Sequence, residues 1–153
     1  MHIFDVMSVS IPRITSNDRN SCCGVALQLE MRSILLIDDD ADIRMALRDF
    51  LTELKFVVHT ARNGQHALQM LEKIEPPDLI LLDYKMPVMD GKQFLSIMRR
   101  IPHLQMIPVV ILSAATREWS GAHLEVEEVL SKPIDLEVLV TTVNRICGQP
   151  HLG

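Results

Sequence analysis

The chain has 153 residues, 48% of them hydrophobic and only 4% aromatic, enough for one compact domain with an aliphatic core and a squeeze for two. Its formal net charge of -5 comes from acids and bases spread along the sequence, so no basic stripe offers itself to a phosphate backbone and nucleic acid is not an expected partner. The adjacent pair Cys22 and Cys23 with a lone third cysteine argues against a disulfide framework, favours a reducing compartment and makes the cytoplasm the expected location.

No apolar run approaches the roughly 20 residues of a membrane span, so no membrane is expected as a partner. Residues 1–30 show no sustained period and carry a polar cluster from Thr15 to Ser21, with Asp5 too early and Met7 to Ile11 too short for a targeting core. They read as an extension, either flexible or lying upstream of a true start at Met31, the second being the favoured reading.

Residues 31–148 alternate strand and helix, and 149–153 are a tail. The run Ile34 to Ile37 is a strand ending in Asp38, Asp39 and Asp40, and Asp40 is placed to cap a helix through Ile43, Leu47, Phe50, Leu51 and Leu54. Phe56 to Ala61 is the second strand, and Asn63 and Gly64 turn into a helix through Ala67, Leu68, Leu71 and Ile74 that Pro76 and Pro77 stop. Leu79 to Leu82 ends in Asp83. The turn-rich loop Met86 to Gly91 then opens a helix carrying Phe94, Leu95 and Met98.

Ile107 to Leu112, interrupted by Pro108, ends in Ser113, and Val126 to Leu130 leads through Ser131 to Lys132. A last helix begins at the cap Asp135, runs through Leu136, Leu139, Val140, Val143 and Ile146, and ends at Gly148. Short Ile, Leu and Val runs separated by helices imply parallel strands buried on both faces, joined by right-handed crossovers. The expected fold is thus α/β, a doubly wound five-stranded parallel sheet in the flavodoxin-like order 2-1-3-4-5, which binds ligands beyond the carboxyl ends of its strands.

The strand tips would gather Asp38, Asp39, Asp83, Ser113 and Lys132. Two carboxylates about 4 Å apart repel by roughly 4 kcal/mol at an effective dielectric of 20, a conflict that a dication resolves. Oxygen-only ligation suits Mg²⁺. With the charge neutralised, one carboxylate can attack phosphorus and become an aspartyl phosphate, while Lys132 pairs with the phosphoryl charge and Ser113 hydrogen-bonds one of its oxygens.

With Ile34 to Asp40, Leu79 to Gly91, Val109 to Ala114, and Ser131, Lys132 and Pro133 in that order, the chain resembles the receiver domain of bacterial two-component response regulators from about Arg32 to Cys147. The resemblance implies Asp83 as phosphoacceptor, Asp39 as direct Mg²⁺ ligand, Asp38 assisting partly through water, and the Lys85 backbone carbonyl as a further metal ligand. It implies Ser113 as switch hydroxyl, Lys132 as phosphoryl contact and a cis bond between Lys132 and Pro133. A sensor histidine kinase or histidine phosphotransfer protein would be the donor, and a downstream protein would read the result. The expected role is a single-domain signalling module that catalyses its own phosphoryl transfer, not an enzyme acting on other substrates.

The chain departs from the family pattern in two places. Between Ser113 and Lys132 it is shorter than usual, which implies a shortened or remodelled fourth helix in 114–128, where Trp119 sits. Val129 replaces the aromatic that usually accompanies the switch hydroxyl, which argues against rotamer-linked aromatic switching there. In this family the positions of Lys85 and Ala115 tune attack by water on the phosphoryl group.

Two rivals stand beside this reading. An aspartyl-nucleophile hydrolase of the haloacid dehalogenase group requires Asp-x-Asp and a following Thr; Asp83, Tyr84, Lys85 does not fit, and Asp38 and Asp40 are followed by Ala41 and Asp42. A receiver-like scaffold working without phosphorylation is the alternative that the altered 114–128 segment mildly favours. The six histidines show no ligand spacing, and no zinc site is expected.

Overall fold

The structure, a computed structural model, describes residues 31–114 and 125–148. Residues 1–30, the Ala115 to Leu124 stretch with Trp119, and the tail at 149–153 lie outside them, and with them the expectations for the extension and the fourth helix.

Five parallel strands, β1 (Ser33–Ile37), β2 (Val57–Ala61), β3 (Leu79–Asp83), β4 (Val109–Ser113) and β5 (Glu128–Ser131), form one sheet in the order β2-β1-β3-β4-β5. Helices α1 (Ala41–Glu53), α2 (Gly64–Leu71), α3 (Gly91–Met98) and α4 (Leu136–Cys147) accompany them. The expected strand order and parallel sense are both present.

Alternation along each strand divides the core in two. Leu35, Ile37, Ile80, Leu82, Val109 and Ile111 face α2 and α3, where Ala67, Leu71, Phe94, Leu95 and Met98 complete one layer. Ile34, Leu36, Leu79, Leu81, Val110 and Leu112 face α1 and α4, where Leu47, Leu51, Leu139 and Val143 complete the other. The strands read as unbroken apolar runs because both faces are covered.

Three helices start where the sequence offers a cap. The Asp40 carboxylate accepts from Asp42 N and Ile43 N, Asn63 from His66 N, and Asp135 from Glu137 N and Val138 N. At α3, Asp90 and Gln93 form a reciprocal capping box, where the sequence alone suggested a turn.

Three boundaries shift from expectation by two or three residues. β4 opens at Val109, not Ile107, because Pro108 has no N–H for the ladder; its carbonyl still accepts from Ile80 N at 3.0 Å. β5 opens at Glu128, although Glu127 N already bonds Val109 O at 2.8 Å. α2 ends at Leu71 and continues to Ile74 only as a hydrogen-bonded turn, since Pro76 disfavours helical backbone in the residue before it.

The end of α1 is a motif that the sequence does not advertise. Lys55 N donates to Thr52 O at 2.9 Å and Phe56 N to Leu51 O at 3.2 Å, the two bonds of a Schellman cap, with Phe56 and Leu51 packed in the same core layer. The left-handed residue that such a cap needs is Lys55, at φ 72, where glycine is the usual occupant. Lys55→Gly is expected to stabilise the fold by about 0.5–1 kcal/mol, read as a higher denaturation midpoint in urea with an unchanged slope.

Candidate functional site

The register brings four strand tips level. Ile37 pairs with Ala61 and with Leu82, Asp83 with Leu112, and Ser113 with Ser131. Residues just past β1 and β3 therefore meet where one crossover leaves through α1 toward β2 and the other through α3 toward β4, the switch point of a doubly wound sheet.

Asp38, Asp39 and Asp83 converge there, one carboxylate oxygen from each lying within 4.8 Å of the others. Asp38 is fully buried and Asp83 is 5% exposed, whereas Asp39 is open to solvent. Asp40 stays out of this group and caps α1, as expected.

Asp38 is held at every polar atom. Its backbone N donates to Ala61 O at 3.1 Å, Oδ1 accepts from Asp40 N at 2.9 Å, Oδ2 accepts from Lys132 Nζ at 2.9 Å, and its carbonyl accepts from Arg44 Nη1 at 2.6 Å. Sequence reasoning missed Arg44. Its place in the first two turns of α1 is consistent with a solvated helix face, and only the fold shows it reaching back over the helix start.

Lys132 reaches the site from beyond β5. Its backbone N donates to Ser113 O at 2.8 Å, which fixes its start, and Nζ lies 3.3 Å from Asp83 Oδ1 as well as against Asp38. The peptide bond from Lys132 to Pro133 is cis, as the family resemblance implied. Ser113 is buried at the tip of β4, beside the strand that carries Asp83. Lys85 stands exposed on the loop two residues past Asp83.

That loop is fastened to the sheet by close approach. Gly91 N donates to Tyr84 O at 3.0 Å, and a Cβ on Gly91 would stand 2.9 Å from Asp83 O, so no larger residue fits without moving the strand tip. On its other side, Gly64 N donates to Met89 O at 3.2 Å, tying the loop to the start of α2.

Electrostatics match the geometry. Burial, then a hydrogen bond with Asp39 that requires a proton, then the Asp38 charge push the Asp83 pKa from 3.8 up to about 7, with Lys132 pulling back only in part. For Lys132, burial pulls its pKa down, but the hydrogen bond and charge of Asp38 and the charge of Asp83 outweigh it, so the ammonium is held more firmly than usual. An all-oxygen donor set with more negative charge than one lysine balances fits a hard dication such as Mg²⁺.

Residues 34–144 match the family described as the response regulator receiver domain. The chain belongs to this family. The likeness covers most of a Leptolyngbya boryana protein described only as an uncharacterized 14.6 kDa protein, at 34% identity over 122 residues, 78% of this chain and 92% of that one. A probable chemotaxis protein CheY of Rhizobium etli is 29% identical over 78% of this chain and 95% of its own. By contrast, the chain spans about a quarter of the protein-glutamate methylesterase of Archaeoglobus fulgidus, with 43% identity over 60% of this chain and 26% of that protein.

Among solved structures, the chemotaxis response regulator CheY4 of Vibrio cholerae superposes with a TM-score of 0.70 at 29% identity, over 76% of this chain and 98% of its own. The response regulator TrrA of Thermotoga maritima, in complex with Mg²⁺-BeF, superposes with a TM-score of 0.68 at 26% identity, over 76% of this chain and 99% of its own. The receiver is therefore a module of two-component signalling with the CheY-like fold. No helix among the described residues is long and apolar enough to cross a membrane.

A carboxyl group whose pKa is raised on folding binds its proton more tightly in the native state than in the unfolded one. Its contribution is fully present below pH 3.8 and is lost as pH rises through about 7. In chelator, the wild type should lose on the order of 2–4 kcal/mol of stability from this group between about pH 4 and pH 7. Asp83→Asn should flatten that slope and be the more stable protein at neutral pH, as read from urea unfolding at a series of pH values. Equal slopes for the two proteins would show that Asp83 carries no such strain.

Proposed function

We propose that the receiver accepts a phosphoryl group on Asp83 from a phosphohistidine of a sensor kinase or phosphotransfer protein, in a Mg²⁺-dependent step that switches a protein-binding surface. The observation that carries this reading is the convergence of Asp38, Asp39 and Asp83 within 4.8 Å, with Lys132 bridging Asp38 and Asp83. The TrrA structure, bound to Mg²⁺-BeF on the same fold, supports it. Matches to the CheY-type relatives over nearly their whole length support a receiver that works through protein contacts.

Asp38, Asp39, Asp83 and the Lys85 backbone carbonyl would hold the metal, which when bound neutralises the carboxylates and the incoming phosphoryl oxygens. The ionised Asp83 carboxylate attacks phosphorus, an O–P bond forms, the N–P bond to the donor imidazole breaks, and the imidazole leaves with its electron pair. Lys132, already placed 3.3 Å from Asp83, pairs with the charge that arrives. Ser113, at the neighbouring tip, supplies the hydroxyl that hydrogen-bonds a phosphoryl oxygen. Residues 31–148 constitute this receiver, with 1–30 and 149–153 as flanking segments, and its compartment is the cytoplasm.

Phosphorylation adds nearly two negative charges at a site that is already short of positive ones, so it favours a rearranged loop and strand-tip surface that a partner protein reads. Incubation with Mg²⁺ and acetyl phosphate at low temperature should add one phosphoryl group to the wild type, seen by intact-mass analysis at short times, and none to Asp83→Ala. Absence of the adduct from the wild type would return the weight to a scaffold that works without phosphorylation.

A further inference from the structure

Val88, past the candidate metal and phosphoryl site on the loop, and the outward side of α3 share a surface to which that chemistry assigns no residue. Val88 sits at the crest of the loop with φ 72, a left-handed backbone that a β-branched residue rarely adopts, in a tight turn closed by Met89 N donating to Pro87 O at 2.9 Å. The residue is 75% exposed, so nothing in the described structure packs against most of it. One shallow groove of about 520 Å³ joins Val88 and Met89 to Lys92, Ser96 and Ile97, the last of these 39% exposed.

Lys92 lines this apolar groove, Asp90 precedes it at the start of α3, and past the end of the helix the charges are mixed, since Glu125 and Glu127 act on Arg99. Residues 91–100 contain no acid, and the carboxylate of Asp90, which precedes them, is engaged by Gln93 N at 2.8 Å. Lys92 and Arg100 are exposed, and so is Lys85 on the far side of the loop. Arg99 contributes little outward charge, because its guanidinium turns in to Ile107 O and Glu125 O, both at 2.8 Å. On a chain with a net charge of -5, a stretch of ten residues, 91–100, that carries cations and no acid beside exposed apolar side chains is a local departure.

We propose that this face docks an acidic amphipathic helix of a partner protein, with Val88 and Ile97 meeting its apolar stripe and Lys92 and Arg100 meeting its carboxylates. A second copy of the chain is the poorer occupant, because two-fold pairing would set the same cations against each other. The chain's overall negative charge repels an acidic partner elsewhere and admits it here, which gives orientation as well as contact. The proposal does not depend on the chemistry of Asp83.

The test uses the ¹⁵N-labelled full chain and a synthetic amphipathic helix of about 18 residues, with leucines at i, i+3, i+4 and i+7 flanked by glutamates, beside a twin with lysines in their place. The glutamate peptide should shift amides within residues 88–100. Added salt, or Lys92→Glu combined with Arg100→Glu, should weaken it by about tenfold or more, and the lysine twin should bind weakest. Val88→Asn separates contact from folding. Asparagine tolerates the left-handed backbone, so the melting temperature should rise while peptide affinity falls. Equal binding of the two peptides, shifts confined to other surfaces, no binding at millimolar peptide, or capture of this face by anionic phosphatidylserine vesicles in preference to the peptide would each overturn the proposal.

Discussion

Lys132 and the two buried carboxylates that it touches are the interaction on which the site depends. The ammonium is 2.9 Å from Asp38 and 3.3 Å from Asp83, and it arrives from the opposite side of the sheet's centre, 94 residues away from Asp38 in the chain. With Asp39 added, the pocket holds three carboxylates against this ammonium, and burial first, then the hydrogen bond with Asp39 and the charge of Asp38, push the Asp83 pKa up to about 7. A site short of positive charge is a receptive one. It gains from a dication, which would offset the surplus of carboxylate charge.

Holding unfavourable charge in place requires a rigid frame, and the two-sided core provides it. Every residue of β1 after Ser33, and every residue of β3 and β4, is buried, so a one-residue slip would exchange side chains between two differently shaped layers. Register therefore fixes the height of each tip, and the hydrogen bond from Lys132 N to Ser113 O carries that height across to the lysine. Asp38 is fixed further by Asp40 N and Arg44, which leaves Asp83 and Asp39 as the members with freedom to exchange partners.

Much of this was legible in the residues. Apolar runs that stop at Asp38, Asp83, Ser113 and Lys132 announce both the strands and the chemistry at their ends, since a polar side chain in such a run is tolerated only where partners satisfy it, and here those partners gather at the strand tips. What could not be read depends on contacts distant in sequence or on backbone states that residue type does not disclose. Arg44 reaching the Asp38 carbonyl is the first kind. Lys55 and Val88 at φ 72 are the second, because nothing about a lysine or a valine signals a left-handed conformation. The boundaries of β4 and α2 sit between these extremes. Pro108 and Pro76 mark where each must change, but the number of residues lost depends on the hydrogen bonds that neighbours still offer.

The loop from Tyr84 to Asp90 joins the two halves of the argument. One end is bound to β3 so closely that Gly91 has no room for a methyl group beside Asp83 O, and the middle is tied to α2 through Met89 O. Between these anchors the chain has little slack, and Val88 takes up the remainder in a backbone state unfavourable to it. At the crest between these anchors Val88 is largely solvent-exposed. The same anchors that hold the loop against the Asp83 tip thus leave Val88 at the surface, and α3 extends that surface away from the site.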